Sequence, residues 1–588
     1  MSSKEKVDHA YFTRKMFLGA VLPAPLAAIG LALAEMGDTI LVGHAIGMEG
    51  LAAVGFASPL FLLATFFVFG LSMGGAVVFA NLMNEGKKEE ALSIFRFFLR
   101  LAAVIGFGVA AAGLLFEDGV LAALGTSPED GEVYRLTKSY ITYILLGIPF
   151  EILMELVTAY MRNDNADTLS ITLQSVSGVA NLAISALLLL VFDWGIAGCS
   201  FGFFISNAGT FAIAMGYLCL GKGQLRVRGR AASFQEAFKG LRLGFATSSE
   251  YIFDAIFTLV AIHLMRELAG TEGVAVFNII ENLSLLFIFL FEFIGKTAQP
   301  LFSTFFAECN FTELHRVFRY CLIYSLAMGV VATLGVVAWP QVLDLLFGME
   351  DIDDVGKAYY AARVFCIGTI FMGVCLLLQN YLQSEEDEKG AFLVVFMRRI
   401  GASLPLLFLL AHWGFYTFWF VYPLGELVTL AVLWFYHRRR GERRTIPAER
   451  VYSASFLGHV EAVTEQLESM EAFAVRWGAD EKKRYLLRLA LEEICEEESS
   501  RLQGKSEAVL VQLTLIARED GIFELHFRDD GEEFDPFQLA REALSRQPQG
   551  LAEAARDTRA LGLHLVKSHA ANLFYRSYHG FNTLTLSI

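Results

Sequence analysis

Long apolar segments separated by short polar stretches fill the first three quarters of the chain, up to about residue 437. An α-helix needs about 20 mostly apolar residues to cross a bilayer. By that criterion the pattern predicts twelve membrane-spanning helices. They cover approximately residues 16–44, 52–80, 93–116, 134–158, 169–192, 196–220, 241–266, 274–300, 318–346, 359–381, 391–411 and 415–436. Pro23, Pro25 and Pro59 lie in the first two and are expected to bend them, because proline lacks a backbone donor.

The composition agrees with a polytopic α-helical membrane protein. Of the 588 residues, 55% are hydrophobic and 52 are Phe. The net charge of −15 gives no reason to expect nucleic-acid binding. Seven cysteines are scattered through the chain without the spacing of a metal site. The composition therefore predicts the lipid bilayer as a partner, and neither nucleic acid nor a metal.

Basic residues gather in alternate loops, which predicts the orientation of the chain. Lys and Arg in short loops resist translocation and stay on the cytoplasmic side. Clusters precede the first helix and follow the second, the sixth and the twelfth. Their members are Lys4, Lys6, Arg14 and Lys15; Lys87 and Lys88; Lys222, Arg226, Arg228 and Arg230; and Arg438, Arg439, Arg440, Arg443 and Arg444. Both termini are therefore predicted to be cytoplasmic.

The two halves of the apolar region repeat each other weakly. A shift of 223 residues aligns 49–52 with 272–275, and also the Phe-Arg pairs at 95–96 and 318–319. Two halves with the same orientation predict two pseudo-symmetric six-helix lobes around a central cavity. The predicted divisions are a first lobe at 1–220, a connecting loop at 221–240, a second lobe at 241–437, a basic linker at 438–445 and a separate domain at 446–588.

Acidic residues within the apolar segments are the candidate functional residues. A carboxylate in a bilayer costs at least a few kcal/mol, so it normally faces a cavity or a partner. Asp38 lies near the end of the first segment. Glu250 and Asp254 lie four residues apart on the seventh helix and therefore on one face. Glu281 lies on the eighth. A buried carboxylate of this kind can bind and release a coupling ion.

Glu292 and Lys296 have the same spacing on the eighth helix, and two interpretations stay open for them. They belong either to a transport site or to a self-compensated pair that makes the helix insertable. Arg363 and Arg399 are interpreted as side chains that extend to the membrane surface. His263 lies close to a helix end, where a solvated position is expected.

Several phrases together resemble the multidrug and toxic compound extrusion (MATE) family over about residues 10–440. They are MGDTILVGHAIGMEGLAAVGFASPL, FGLSMGG, VANLAISALLLLVFDWGIAGC, IGKTAQP and RRIGASLPLLFLLAHWGFYTFWFVYPLGELVT. The resemblance implies two six-helix lobes that export organic cations against inward H⁺ or Na⁺. It also implies a prokaryotic cytoplasmic (inner) membrane. The expected activity is that of a transporter rather than an enzyme, with a small organic cation as substrate.

The same resemblance assigns roles within the first lobe. Asn181 on the fifth helix matches a family residue that accompanies the first-helix acid, here Asp38. Many relatives have a second acid one turn later, where this chain has Ser185. A hydroxyl lowers the charge of the site, which favours protonation of Asp38 over Na⁺ binding. Asp254 follows Gly244 by ten residues, close to a coupling acid of some relatives.

The composition changes after about residue 446 to amphipathic helices and short alternating strands. The pattern predicts strands near 450–456, 507–517, 522–529, 573–578 and 582–588, and helices near 458–476, 480–501, 536–545 and 560–571. This order is typical of an α/β sandwich. The phrases RLALEEICEEESSR, FRDDGEEFDPF and LGLHLVKSHA resemble histidine-kinase-like ATPase domains, specifically the anti-sigma-factor serine kinases.

The nucleotide residues of that family match only in part. Glu493 matches the family's base, Asp529 the acid that reads adenine, and Gly531 the glycine after it. Glu497 stands where the family has an Asn that holds Mg²⁺. Of the phosphate-binding glycines only Gly562 remains. ATP binding is therefore doubtful, no kinase or ATPase activity is expected, and a regulatory or protein-binding module is favoured.

Three functions are weighed. The first is an antiporter that uses H⁺ or Na⁺, requires no other cofactor, and has a regulatory tail that binds nucleotide or a cytoplasmic protein. The second is a membrane-anchored signalling protein whose transporter-like body acts as a receptor for the anti-sigma-like tail. The third is a flippase for a lipid-linked precursor, which should line its cavity with cationic residues. Acids in both lobes favour transport.

Overall fold

The computed structural model describes residues 11–84, 87–164, 166–220, 223–349, 352–440, 446–458, 460–501, 509–531, 535, 558–578 and 581–588. Within these residues, eleven helices are long and apolar enough to cross a membrane, so the predicted polytopic helical protein is confirmed. The helices of the membrane part are α1 (Tyr11–Met16), α2 (Ala24–Glu35), α3 (Gly37–Ile46), α4 (Met48–Asn84), α5 (Lys88–Leu115), α6 (Glu117–Leu124), α7 (Glu132–Arg162), α8 (Asp167–Leu190), α9 (Ile196–Cys219), α10 (Phe234–Ala307), α11 (Phe311–Ala338), α12 (Val342–Phe347), α13 (Ile352–Ser384), α14 (Glu388–Phe396), α15 (Ser403–Ala411), α16 (Phe415–Phe418) and α17 (Val421–Arg440).

The predicted seventh and eighth helices form one element, α10, of 74 residues. Its apolar part spans 60 residues, which at about 1.5 Å per residue is roughly three times the thickness of a bilayer core. The backbone leaves helical geometry at Ala269 and Gly270, where Gly270 has a φ of 64°. Glycine adopts this positive φ because it has no Cβ. The element therefore consists of two arms joined at the predicted turn, and the number of twelve crossings stays a prediction.

The predicted first helix is interrupted at two places. α1 is followed by one π-helical turn, Phe17–Val21, and α2 begins behind Pro23. The predicted change of direction at the prolines thus coincides with a helix boundary, whereas Pro59 lies inside the continuous α4. A second irregularity at Met36 separates α2 from α3 and places Asp38 in the first turn of α3. A helix start of this kind favours a carboxylate, because its N–H groups are unpaired.

Each half of the membrane part has an apolar core of its own. We call α2–α9 the N lobe and α10–α17 the C lobe. Val42 belongs to the core of the N lobe. Phe12 and Phe17 belong instead to the cluster that contains Phe291 of the C lobe. The amino-terminal segment, which we define as Tyr11–Val21, therefore packs with the C lobe.

The lobes meet at the end of the bundle that contains the turn of α10, which we call the far end. Arg266 donates to both carboxylate oxygens of Asp130, at 3.0 and 2.9 Å, and to Ser127 Oγ at 2.8 Å. His44 Nε2 lies 3.1 Å from the carbonyl oxygen of Leu345. Both contacts connect one lobe to the other, so the far end is closed by polar interactions between the lobes.

Glycines allow the closest approach between the lobes, where α4 crosses the first arm of α10. A Cβ on Gly74 would collide with the carbonyl oxygen of Gly240, and a Cβ on Gly244 would collide with that of Gly70. Small residues at such crossings let two helix backbones touch within a membrane. This crossing therefore fixes the position of the N lobe relative to α10.

The carboxyl-terminal domain, residues 446–588, is called the tail below. Its five strands pair antiparallel in the order β1-β2-β3-β5-β4. They are β1 (Val451–Leu457), β2 (Leu510–Ala517), β3 (Phe523–Asp529), β4 (Asn572–Tyr578) and β5 (Phe581–Ser587), and α18 (Val460–Arg476), α19 (Glu481–Arg501) and α20 (Thr558–His569) pack on one face. The predicted α/β sandwich is confirmed. The helix predicted near 536–545 lies outside the described residues.

Candidate functional site

The three residues predicted for the N-lobe site come together. Asn181 of α8 donates from Nδ2 to Oδ2 of Asp38 at 3.2 Å. Ser185, one turn further along α8, donates to Asn181 Oδ1 at 3.4 Å and to the carbonyl oxygen of Cys199 at 3.2 Å. The other carboxylate oxygen of Asp38, Oδ1, is buried and has no hydrogen-bond partner among the described residues. A charge is costly in such a position, so the position suits a carboxylate that takes up a proton.

Three further acids, which were not predicted from the sequence, lie in this part of the N lobe, and one of them is close to Asp38. Glu35 lies one turn before Asp38 and within electrostatic range of it. Glu151 and Glu155 lie four residues apart on α7, and Glu35 is within the same range of both. Gln174 donates to Glu155 Oε2 at 2.7 Å, while Oε2 of Glu151 is buried without a described hydrogen-bond partner. The spacing of four residues that pointed to Glu250 and Asp254 would have identified this pair as well.

The C-lobe acid Asp254 is paired with an arginine. Its Oδ1 lies 2.5 Å from Nε of Arg399, and the two side chains are only 19% and 15% exposed. The Arg399 guanidinium also lies 5.5 Å from the ring centre of Phe257. The prediction that Arg399 extends to the membrane surface is therefore wrong, because a buried acid binds it inside the lobe. Arg363, the other arginine in that prediction, is exposed.

A second buried ion pair lies beside the first and was not predicted. Arg398 donates from Nε to Glu426 at 2.9 Å, and its Nη2 lies 2.8 Å from the same carboxylate, with both side chains 10% exposed. Arg398 and Arg399 occupy a π-helical turn, Met397–Gly401, between α14 and α15. Such a turn adds a residue to the helix and is frequent at functional sites. The signal in the sequence was two adjacent arginines in an apolar helix, which need counterions.

The remaining C-lobe candidates differ in their surroundings. Tyr422 donates to Glu281 at 2.6 Å, and Glu250 is half-buried within electrostatic range of Asp254. Glu292 and Lys296 form the expected pair at 2.8 Å, with Lys296 58% exposed. The space among the two arginines and their neighbours is about 10 Å³, which is roughly the room that one water needs. This network can therefore hold charges or a proton, but not an organic substrate.

In the tail, the candidate adenine-reading acid is buried and already engaged. Asp529 Oδ1 accepts from Asn582 Nδ2 at 2.8 Å and from the backbone N–H of Gly531 at 2.9 Å. Burial raises the pKa of the Asp529 carboxyl to about 6, and the two hydrogen bonds only partly oppose this. A carboxyl at this position can still interact with a base through its second oxygen.

The phosphate end of that candidate site fits a nucleotide poorly. A Cβ on Gly562 would meet the carboxylate of Glu493, so this glycine allows α20 to pack against α19. An acid next to the glycine also repels phosphate. The side chain of Glu497, the residue at the Mg²⁺ position, lies outside the described residues, as does Glu533. Within the described residues, no three His, Cys, Asp or Glu side chains are arranged to hold a metal ion.

Comparison with known proteins agrees with both parts of the fold. A family model described as MatE matches residues 23–189 and 243–409, more than half of the chain, and one described as histidine kinase-like ATPase domain matches 456–588. The probable multidrug resistance protein YoeA of Bacillus subtilis is 20% identical over 454 residues, which cover 74% of this chain and 96% of that protein. The multidrug resistance protein NorM of Photobacterium profundum is 22% identical over 435 residues, covering 70% and 90%.

The fold of the membrane part has solved counterparts. The inward-facing conformation of a multidrug resistance MATE family transporter of the MOP superfamily has a TM-score of 0.64 at 18% identity, covering 71% of this chain and 97% of that one. At this identity the likeness concerns the fold. The MatE model matches twice, once in each half of the membrane part. The chain therefore belongs to the MatE family of membrane transporters and carries a histidine kinase-like ATPase domain at its carboxyl end.

Proposed function

We propose that this protein is a secondary active antiporter that exports organic cations in exchange for H⁺. The observation that carries the proposal is the environment of Asp38, which has one donor on Oδ2 and none among the described residues on Oδ1. Such a carboxylate holds a proton while water is excluded and releases it when the site is hydrated. Its position between α2 and α3 allows a change in helix packing to alter its hydration.

The charge of the site favours H⁺ over Na⁺. Asp38 is accompanied by an amide, Asn181, and by a hydroxyl, Ser185, which also bonds to a backbone carbonyl. One carboxylate suffices to bind a proton. A sodium ion needs several oxygen ligands, and the amide of Asn181 presents its nitrogen, not its oxygen, to Asp38. The alternative is exchange for Na⁺, and the experiment below distinguishes it from exchange for H⁺.

The proposed substrate class follows from the acids of the N lobe. Glu35, Glu151 and Glu155 bring three further carboxyl groups into the part of the N lobe that contains Asp38, and these groups become negative where water or a cation enters. A cleft of one sign of charge concentrates ligands of the opposite sign. The similarity to two multidrug resistance proteins supports an organic cation as cargo.

In the C lobe, we assign Asp254, Glu281 and Glu250 to the ion-coupled conformational cycle. We do not assign them to substrate binding. The two arginines are each paired with an acid, and the space between them is about 10 Å³. Paired arginines offer no unused positive charge to a lipid phosphate, which counts against the flippase alternative. Glu292 and Lys296 are assigned to helix insertion, because Lys296 is exposed and has an acid of its own helix as partner.

We further propose that the protein lies in a prokaryotic cytoplasmic (inner) membrane with both termini in the cytoplasm. The basic residues in alternate loops support this orientation. The tail is proposed to regulate transport without phosphorylating a protein or hydrolysing ATP. Glu497 at the position of the Mg²⁺-holding Asn and the loss of all phosphate-binding glycines but Gly562 support this.

The test is efflux of a fluorescent lipophilic cation from proteoliposomes under an imposed pH gradient or an imposed Na⁺ gradient. We expect efflux driven by the pH gradient in the wild type, and its loss in Asp38→Asn. Glu132→Gln is the matched control, because Glu132 is exposed and pairs with Arg135 three residues away on its own helix. Efflux that is driven by the Na⁺ gradient but not by the pH gradient would show that the coupling ion is Na⁺ and not H⁺. Folded protein without gradient-driven efflux would contradict transport and favour the receptor alternative.

A further inference from the structure

The central strands of the tail sheet are buried on both faces, although the tail helices that the structure describes pack on only one. Side chains alternate between the two faces along a strand. In β2, Leu513 and Leu515 join the core formed with α18, α19 and α20. Gln512, Thr514 and Ile516 point to the other face and are equally buried. A sheet with one helix layer normally leaves its second face to water. Because the second face of this sheet is buried, another part of the chain covers that face.

The membrane part provides this cover. Leu510 and Phe581, both on the helix-free face, belong to the apolar cluster that contains the C lobe and the amino-terminal segment. Ile516 shares a small apolar cluster with Ile446 and with Cys309, which follows the end of α10. Asn310 Nδ2 also donates to Ser453 Oγ of β1 at 3.3 Å. The sheet is therefore docked on the end of the C lobe opposite the far end.

A buried ion pair lies at the centre of this contact. Arg528 of β3 donates to Glu308 at 2.5 Å, and both side chains are 4% exposed. The same guanidinium donates to Gln512 at 2.7 Å and lies 5.0 Å from the ring centre of Phe305. A buried charge that loses its partner is strongly unfavourable. Glu308 and Arg528 therefore stabilise the contact between the tail and the C lobe when both are present, and loss of either one leaves the other as an unpaired buried charge.

The amino-terminal segment is held by the same face. Tyr11 donates to Asp530 Oδ2 at 2.8 Å, and Lys15 lies 3.9 Å from that oxygen. The rings of Phe12 and Phe581 are 5.5 Å apart. Lys15 Nζ also lies 5.1 Å from the Phe581 ring centre. The tail thus contacts the segment by polar and apolar groups together.

On its other side the segment contacts the C lobe. Thr13 donates to Glu313 of α11 at 2.5 Å, and Tyr324 of α11 donates to the carbonyl oxygen of Leu22 at 2.8 Å. The segment therefore lies between α11 and the tail sheet, and the chain continues from it through Pro23 and α2 to α3, which carries Asp38. One stretch of chain connects the docked tail to the candidate coupling residue.

We propose that the helix-free face of the tail sheet is an intramolecular clamp that holds the amino-terminal segment against the C lobe and inhibits transport while it is docked. This inference rests on the proposed function. A contact formed in one conformation lowers the population of conformations in which it is absent. Alternating access requires the lobes and the first helix to rearrange, so the clamp slows the cycle. The segment that this surface holds is part of the same chain, the amino-terminal segment Tyr11–Val21.

The packing of the interface agrees with a contact that opens. A cavity of about 200 Å³ remains between tail and C lobe, beside the Arg528–Glu308 pair. It is lined by Met16, Phe305 and Phe574 together with His526. Permanent interfaces are packed about as densely as protein interiors. A gap of this size at the centre of the contact lowers the loss of packing when the tail leaves.

Docking is measured first, without transport, by maleimide labelling of the full-length protein in a Cys219→Ser background, which removes the exposed thiol. Cys309 is 6% exposed and lies in an apolar cluster with Ile446 and Ile516 of the tail, so its labelling reports release of the tail. Cys495 is 3% exposed in the tail core, so its labelling reports unfolding of the tail. We expect Arg528→Ala to accelerate labelling of Cys309 about tenfold or more while Cys495 stays protected.

The control is Arg488→Ala, which removes an exposed arginine on α19 that pairs with Glu492. It should leave the labelling of both cysteines unchanged. Tyr11→Phe provides a milder variant that loses the hydrogen bonds of the Tyr11 hydroxyl to Asp530 and from Lys15 but keeps the Arg528–Glu308 pair, and it should accelerate Cys309 labelling less. Equal labelling of Cys309 in the wild type and Arg528→Ala would overturn the docking. If Cys495 also becomes reactive in Arg528→Ala, that variant has unfolded the tail. The docking is then tested by the labelling of Cys309 in Tyr11→Phe.

Cation efflux from proteoliposomes is then compared among the same proteins. Faster efflux in Arg528→Ala and Tyr11→Phe than in the wild type and Arg488→Ala is the expected result. Unchanged or slower efflux with exposed Cys309 would overturn the inhibition while leaving the proposed antiport intact. Absence of efflux in all proteins, with the labelling difference preserved, would contradict the proposed antiport and with it the inhibition. The two failures are thus distinguishable.

Discussion

Arg399 Nε lies 2.5 Å from Oδ1 of Asp254, and this ion pair joins the π-helical turn of the C lobe to the first arm of α10. Both side chains are largely withdrawn from solvent. Each charge would be unfavourable at its position without the other. The charge of Asp254, which was predicted as a coupling residue, therefore depends on the presence of Arg399.

Removal of Arg399 alone should destabilise the protein more than removal of both charges. Arg399→Met leaves Asp254 buried without its cation, which we expect to cost about 3–5 kcal/mol. Arg399→Met combined with Asp254→Leu should recover most of this loss, because apolar residues of similar volume replace buried ion pairs at little cost. Apparent melting temperatures in detergent provide the measurement. A single variant as stable as the double variant would contradict the pairing.

The elements that the sequence predicted well are those fixed by local pattern. Apolar length predicted the membrane helices, and alternation predicted β2 and β3 in the tail. The predictions failed where a contact depends on residues far apart in the chain. Glu426 lies in an apolar helix and gave no indication that Arg398 is its partner. The burial of Gln512 and Thr514 has the same origin, because only docking on the membrane part covers that face of the sheet.

The N-lobe site was predicted in part. Asn181 was identified by resemblance, and its hydrogen bond to Asp38 agrees with the pairing that the resemblance implied. Glu151 and Glu155 were missed although their spacing on α7 was visible in the sequence. Glu35 has no such signal, because only the interruption at Met36 brings it near Glu151. A break in a helix is a tertiary feature that apolar length alone does not reveal.

Arg266→Ala should weaken the closure of the far end. The arginine donates to Asp130 and Ser127 across the lobes. Hydrogen bonds to charged groups are worth about 1.5–3 kcal/mol each. Because this pair is partly exposed, we expect a smaller net loss of roughly 1.4 kcal/mol, which corresponds to a tenfold shift in population.

Distances between spin labels on Ala122 and Gln341, both exposed near the far end, would measure this shift. The expected result is a larger fraction of long distances in Arg266→Ala than in the wild type. Arg135→Ala serves as control, since Arg135 pairs with Glu132 on its own helix. Identical distributions in Arg266→Ala and the wild type would show that the contact between the lobes does not hold the far end closed.

Asn181→Ala should reduce transport more than Ser185→Ala. Asn181 donates directly to Asp38, and loss of a hydrogen bond to a charged group costs about 1.5–3 kcal/mol, or roughly tenfold or more in rate. Ser185 makes its described hydrogen bonds to Asn181 and a backbone carbonyl and interacts with Asp38 less strongly than Asn181 does, so its loss should cost about 1 kcal/mol or less. Initial rates of efflux driven by a pH gradient provide the comparison. The opposite order would show that Ser185 itself contacts the ion or the substrate.

Asp529 gives the tail a stability that depends on pH. Burial raises the pKa of its carboxyl from 3.8 to about 6 in the folded protein. Between these two values the folded tail binds more protons than the unfolded tail. Its free energy of unfolding therefore falls as the pH rises from about 4 to about 6, and stays at the lower level above that.

Asp529→Asn removes this titration, because an amide keeps a carbonyl oxygen for Asn582 and Gly531 and carries no charge. The variant should therefore gain stability relative to the wild type as the pH rises through about 6, by at most about 3 kcal/mol at pH 7. Labelling of Cys495 in the tail core, compared between the two proteins at each pH, cancels the intrinsic pH dependence of thiol reactivity. We expect equal rates near pH 4 and slower labelling of the variant at pH 7. A ratio that does not change with pH would show that Asp529 ionises as readily in the folded tail as in the unfolded chain.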